Sequence, residues 1–213
     1  HMKPAFINTQ VSMLLSMKEM PDFNQQQQLD SYIQQLAINM GKSIGAFESA
    51  RQQIDILFNY PISIQADELM ETVRFSDTAV KLSKKISEAY LAQDLDALHE
   101  ISLDPALGFD PQSQARLVDN RNKAWVNTIT NIIADKSTIV CVGALHLPGD
   151  NGLINLLRCQ GYTVTPITKP SNLSSQFDEA TAELPPTESV GLLAVSAVFC
   201  LKFLSRSAHL SST

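Results

Sequence analysis

The chain has little of what marks a specialised class. Only 3 of its 213 residues are cysteine: Cys141, Cys159 and Cys200. Their number is odd and none has zinc-type spacing, which argues against a disulfide framework or a structural zinc site. Cys141 on a strand and Cys159 on a helix read as small core hydrophobes. A basic block is missing, and the net charge of −6 excludes the electrostatic footprint of a nucleic-acid partner. The glycines Gly143, Gly149 and Gly152 lack the spacing of a dinucleotide fingerprint. No apolar run reaches the roughly 20 residues of a membrane span. His1-Met2 reads as a cloning scar and no secretory signal pattern follows it, so the compartment stays open. Charged residues are 18% and hydrophobic residues 44%, a balance that can bury a proper core.

What is there centres on residues 137–167. The apolar, β-rich run 138–142 reads as a buried parallel strand. It ends at Gly143, expected to turn tightly and present His146 just beyond the strand tip. Asp150 or Asn151 is placed to cap a helix over 153–159, and Gly161 to end it in the left-handed conformation. Residues 162–167 alternate as a second strand. Strand, loop, helix and strand together predict two parallel strands. In such sheets ligands bind off the carboxyl ends of the strands.

Upstream, apolar periodicity predicts helices over 7–20 and 29–40, with Gly41 as a cap. Residues 42–47 read as a strand with Glu48 at its tip, before a helix from Ser49 to about Asn59. Glu48 either favours the helix dipole or meets His146, since both leave strand ends of one sheet. Residues 63–93 form one long helix or two, and His99 reads as a surface residue. Asp110-Pro111 begins a helix running to about Asp135. Its apolar face takes in Leu117, Val118, Arg121, Ala124, Trp125, Thr128, Ile129, Ile132 and Ile133. Arg121 on that face either reaches a buried anionic partner or extends to the rim. Tyr90 reads as a core residue.

These residues carry a resemblance. The run from Gly143 through His146, Pro148 and Gly161 to Ile167 resembles the terminal signature of the TraB/GumN family. That family is related to the TIKI metalloproteases and, more distantly, to the ChaN and erythromycin-esterase-like proteins. Gly41-Lys42-Ser43-Ile44-Gly45-Ala46-Phe47-Glu48, with Gln53 beyond, resembles the family's second block, with Phe47 where Leu is usual. Tyr90 to Leu98 resembles its Tyr–loop–Asp–Leu passage. Arg121-Asn122-x-x-Trp125 resembles its Arg-Asn-x-x-Trp block, and the order of blocks agrees.

The resemblance implies a metal-dependent, peptidase-like hydrolase acting on a peptide or protein. His146 and Glu48 would be catalytic and metal ligands, for manganese or cobalt. Arg121 would be a catalytic clamp, and Gly143, Asn122, Tyr90 and Gln53 would contact substrate. The family's first Gly-x-x-His block is not found, so the expectation is an N-terminally truncated domain over 1–168. Such a domain is either a weak metal hydrolase or a pseudo-enzyme that binds a peptide or protein. The predicted fold class is α/β, helix-rich with a small, mostly parallel sheet. An exposed sheet edge would invite a homo-oligomer. Residues 169–189 read as a Ser/Thr/Pro-rich linker. The apolar stretch 190–204, interrupted by Lys202, leaves three readings open: a helix docked on the sheet or on another subunit, a membrane anchor, or a non-native end.

Overall fold

A computed structural model of the protein describes residues 2–19, 29–104, 110–166 and 198–203. Among these, helix dominates. The chain opens with α1 (Pro4–Glu19), α2 (Leu29–Asn39), α3 (Ala50–Phe58), α4 (Ile62–Arg74) and α5 (Ser76–Leu91), of which α1, α3, α4 and α5 form a first layer. Then come α6 (Leu95–Leu103), the short α7 (Pro111–Gln114), a π-turn (Ala115–Asp119) and α8 (Asn120–Asp135). Strand β1 (Thr138–Gly143), a 3-10 turn (Ala144–His146), α9 (Leu153–Cys159) and β2 (Val198–Phe203) complete the described chain.

Helix boundaries follow local chemistry. Ser49 and Gln52 form a reciprocal capping box at the start of α3, satisfying two backbone donors that helix geometry leaves orphaned. Asp110 accepts from the backbone N–H groups of Gln112 and Ser113, with Pro111 in the first turn. Gly41 (φ +62°) and Gly161 (φ +82°) adopt the expected left-handed conformation. The stretch 63–93 divides into α4 and α5 at Phe75.

Helix α1 lies on α4 and α5. The fully buried Gln65 ties this layer together. It accepts from Ala5 N and donates to Phe58 O and Tyr60 O. A second layer joins α8, β1 and α9 around Trp125, Val126, Ile129, Ile133, Val140, Val142, Leu147, Leu153 and Leu157. Its sequence pattern is legible, since Trp125, Ile129 and Ile133 recur at helical spacing. The buried line nevertheless runs through Asn122 and Val126, while Ala124 and Thr128 face solvent. A straight helix from Asp110 was the expectation. The π-turn inserts an extra residue ahead of α8 and so resets which side faces the core.

The mostly parallel sheet is corrected. The strand β1 pairs antiparallel with β2, Cys141 standing opposite Cys200 and Thr138 opposite Phe203. Residues 42–46 form no strand, and Ile44 is half exposed. Residues 162–166 form none either, although their alternation is real: Tyr162 and Val164 pack on the core while Thr163 and Thr165 face out. In both cases the described residues offer no adjacent strand to take up the backbone hydrogen bonds, and a strand is defined by that ladder. Part of the apolar tail, for which a docked helix, a membrane anchor and a non-native end are all open readings of the sequence, pairs with β1 as a strand. Residue 167, the linker 169–189 and residues 190–197 and 204–213 lie outside the described residues. No described helix is long and apolar enough to cross a membrane.

The loop between the 3-10 turn and α9 is built tightly. Gly149 has φ +81°, and a Cβ there would lie 2.5 Å from His99 Cε1. His99 is therefore half-buried against this loop, not a free surface residue. A Cβ on Gly152 would meet Pro148 O at 2.1 Å and Leu147 O at 2.3 Å. Those atoms are backbone and cannot rotate away. Gly152→Ala is therefore expected to destabilise by about 2–3 kcal/mol. Gly149→Ala combines left-handed backbone strain with a clash against the His99 ring, and His99→Ala should relieve only the clash. Urea titrations of the three variants check this, and a Gly152→Ala protein as stable as wild type would contradict the packing.

Candidate functional site

Three segments converge on one polar cluster. Glu48 precedes the capping box of α3, Arg121 and Asn122 lie in the first turn of α8, and His146 closes the 3-10 turn after β1. Arg121 grips Glu48 with a two-pronged ion pair: Nε to Oε1 at 2.9 Å and Nη2 to Oε2 at 2.9 Å. The two side chains are 12% and 8% exposed, so the pair is buried. Trp125 Nε1 donates to the same Glu48 Oε1 at 3.1 Å. Planar guanidinium suits this geometry, and the charge assistance shortens the bonds.

Arg121 Nη1 donates to Leu117 O at 3.0 Å and faces His146 Nε2 at 3.4 Å. Asn122, fully buried, donates its Nδ2 hydrogens to His146 O (3.1 Å) and Asn151 O (2.8 Å). Its Oδ1 must then face His146 Nδ1, 2.7 Å away. Oδ1 can only accept, so Nδ1 carries the imidazole proton and Nε2 presents its lone pair to the guanidinium. Burial, and then the Arg121 charge, push the His146 pKa down to about 3. Both effects disfavour a second positive charge. Rings complete the site: Trp125 lies 4.6 Å from His146 and 5.5 Å from Phe47 between centroids, with the guanidinium carbon of Arg121 4.7 Å from the Trp125 ring.

The predicted trio Glu48, Arg121 and His146 therefore meets. Asn122 is more central than its expected supporting role. Gln53 does not join: it is exposed on α3. Tyr90 is partly buried against Ala89, Leu98 and Ala144 in a neighbouring cluster. Gly143 ends β1 at φ −57° and ψ 141°, a backbone any residue adopts, so the turn does not demand glycine. Cys159 is exposed on α9. Neither Asp150 nor Asn151 caps α9; its N-cap is Gly152, and Asn151 turns to Asp119 instead. Sequence reading missed Trp125 as a polar partner, although an indole N–H on a buried stripe needs an acceptor.

The expected metal shell does not fit this arrangement. Both Glu48 oxygens accept from Arg121, and a dication at His146 Nε2 would stand against a fixed guanidinium. Like charges at such separation repel strongly where water is excluded. Among the described residues no three His, Cys, Asp or Glu side chains group as a metal shell would.

Fold and site define a helix-rich domain with a buried carboxylate–guanidinium–imidazole–carboxamide centre. The profile of the TraB/PrgY/gumN family matches residues 1–166, and the chain belongs to that family. No curated protein and no solved structure matches it.

Proposed function

We propose that this cluster is the working centre of a TraB-type hydrolase acting on the amide of a peptide or protein. The observation that carries the reading is His146: neutral, held as the Nδ1–H form, its Nε2 beside a guanidinium that Glu48 holds in place. Four of the five N–H groups of Arg121 have partners among the described residues, which leaves one for a substrate oxygen. Arg121 is then the clamp for the developing oxyanion, and His146 the base that takes a proton from water. With its pKa near 3 His146 is a weak base in this arrangement. Negative charge growing on a carbonyl held by Arg121 offsets the guanidinium and strengthens the base as the transition state forms. Glu48 anchors Arg121 and Asn122 orients His146. The donors as arranged do not fit the manganese or cobalt ion that the resemblance implies.

A second reading is a non-catalytic module that binds a peptide or protein. Two observations favour it: His146 is 5% exposed, and both Glu48 oxygens are already bonded. Peptide-library cleavage read by mass spectrometry, with and without Mn²⁺ or Co²⁺, separates the two. Under the hydrolase reading wild type cleaves, and His146→Ala lowers the rate by about 10²–10⁴-fold. Folded wild type that binds peptides and cleaves none under either condition would establish the binding module instead.

A further inference from the structure

Beyond the cluster, hydrogen bonds continue into the π-turn. Asn122 is pinned between two carbonyls, His146 O and Asn151 O. The second of these belongs to a residue whose own side chain is tied down: Asn151 Nδ2 donates to Asp119 Oδ2 at 3.0 Å. The other carboxylate oxygen of Asp119 accepts from Gln114 Nε2 at 3.3 Å. Gln114 leaves its own Oε1 buried without a hydrogen-bond partner. A buried acceptor left open is unfavourable, so the amide orientation is dictated by the demand of the carboxylate. Asp119 ends the π-turn, a local widening that recurs at functional sites. The bonded pairs are separated by up to 32 positions in sequence and meet only in the fold.

We propose that Asp119 is a positioning residue: by holding Asn151, it fixes the carboxamide of Asn122 and so keeps His146 in its Nδ1–H form. The chain of causes is geometric. Asn122 could rotate its amide by half a turn only by aiming Oδ1 at two carbonyl oxygens, which repel it. The rotated amide would present Nδ2 to His146 Nδ1 and move the proton to Nε2. Nε2–H would then point at the Arg121 N–H, donor against donor. Asp119 guards against this by keeping one of the two carbonyls in place. The inference deepens the hydrolase reading, in which the Nε2 lone pair does the work, but the proton's position is measurable without any activity.

The test is ¹⁵N NMR of the ring nitrogens in uniformly ¹⁵N-histidine-labelled full chain at pH 7.5, with His146→Gln identifying the resonance among the 4 histidines. Wild type should show a protonated Nδ1 and an unprotonated Nε2. Asp119→Ala and Asn151→Ala should each move the tautomer ratio toward Nε2–H by about tenfold, the effect of about one net hydrogen bond. The double variant should go no further, because both act through one contact. Asp119→Asn retains an acceptor oxygen and should restore most of the wild-type ratio. Should Asp119→Ala fail to fold by circular dichroism, Asn151→Ala and Asp119→Asn carry the same comparison. Folded variants that keep the wild-type ratio, or a wild type already in the Nε2–H form, would overturn the proposal. Absent hydrolysis with the predicted ratios would instead overturn only the catalytic reading.

Discussion

Glu48→Ala is expected to remove about 3–5 kcal/mol of folding stability, the usual effect of deleting one partner from a buried ion pair. The variant strands the Arg121 guanidinium, 12% exposed in its side chain, with no anion beside it. It also takes the acceptor from Trp125 Nε1, so three N–H donors lose their partner together. The neutral His146 cannot compensate, since its Nε2 accepts only one bond. A second substitution should recover much of the loss. In Glu48→Ala with Arg121→Met no charge is left unpaired, and an apolar side chain of similar length fills the space against Trp125. Paired apolar replacement of buried ions is often nearly neutral, so the double variant should lie within about 2 kcal/mol of wild type. Urea titration of the three proteins measures this. A Glu48→Ala protein within about 1 kcal/mol of wild type would mean that the pair is solvated in solution and that the site is open.

The second large effect is pH dependence. His146 has its folded pKa lowered from 6.5 to about 3. Between these values the unfolded chain binds a proton that the folded chain refuses. Stability therefore rises with pH through this window, is fully present above pH 6.5, and is lost as pH falls toward 3. Each pKa unit is about 1.4 kcal/mol, so the full window amounts to about 5 kcal/mol and the fall from pH 7 to 4.5 to about 3 kcal/mol. Other groups titrate in the same range, and His146→Gln isolates the histidine: its glutamine can bond Asn122 without titrating. Wild type should lose about 3 kcal/mol more than His146→Gln between pH 7 and 4.5. Equal losses would show that His146 is solvated or paired with an anion in the folded state, contrary to its geometry beside Arg121.

Both predictions rest on residues that stood out in the chain by type and place. A histidine after a strand-ending glycine, a carboxylate before a capped helix and an arginine on an apolar stripe each carry an unusual demand for a partner. What the chain could not tell was who answers whom. Glu48 was expected to serve beside His146 as a metal ligand. In the fold Arg121 comes between them, bonding both Glu48 oxygens and facing His146 Nε2. Asn122 was a lesser companion until the π-turn placed it at the buried centre. Trp125 was a core aromatic until its indole N–H found Glu48.

The sequence by itself determined what local chemistry dictates. It set the helix starts at Ser49 and Asp110, the left-handed stops at Gly41 and Gly161, the apolar line through Trp125, Ile129 and Ile133, and the buried strand that ends at Gly143. These depend on hydrogen bonds and side-chain periods spanning a few residues. Only the tertiary structure decided the sheet, because alternation shows which side of a segment is buried and not whether a neighbour supplies a ladder. Residues 162–166 alternate with no strand beside them among the described residues, and β1 instead pairs with a tail segment some sixty residues further on. Only the tertiary structure, too, placed the proton on His146 Nδ1. That position is set by the Asn122 amide and the two carbonyls that hold it, a contact among three segments that no spacing along the chain encodes.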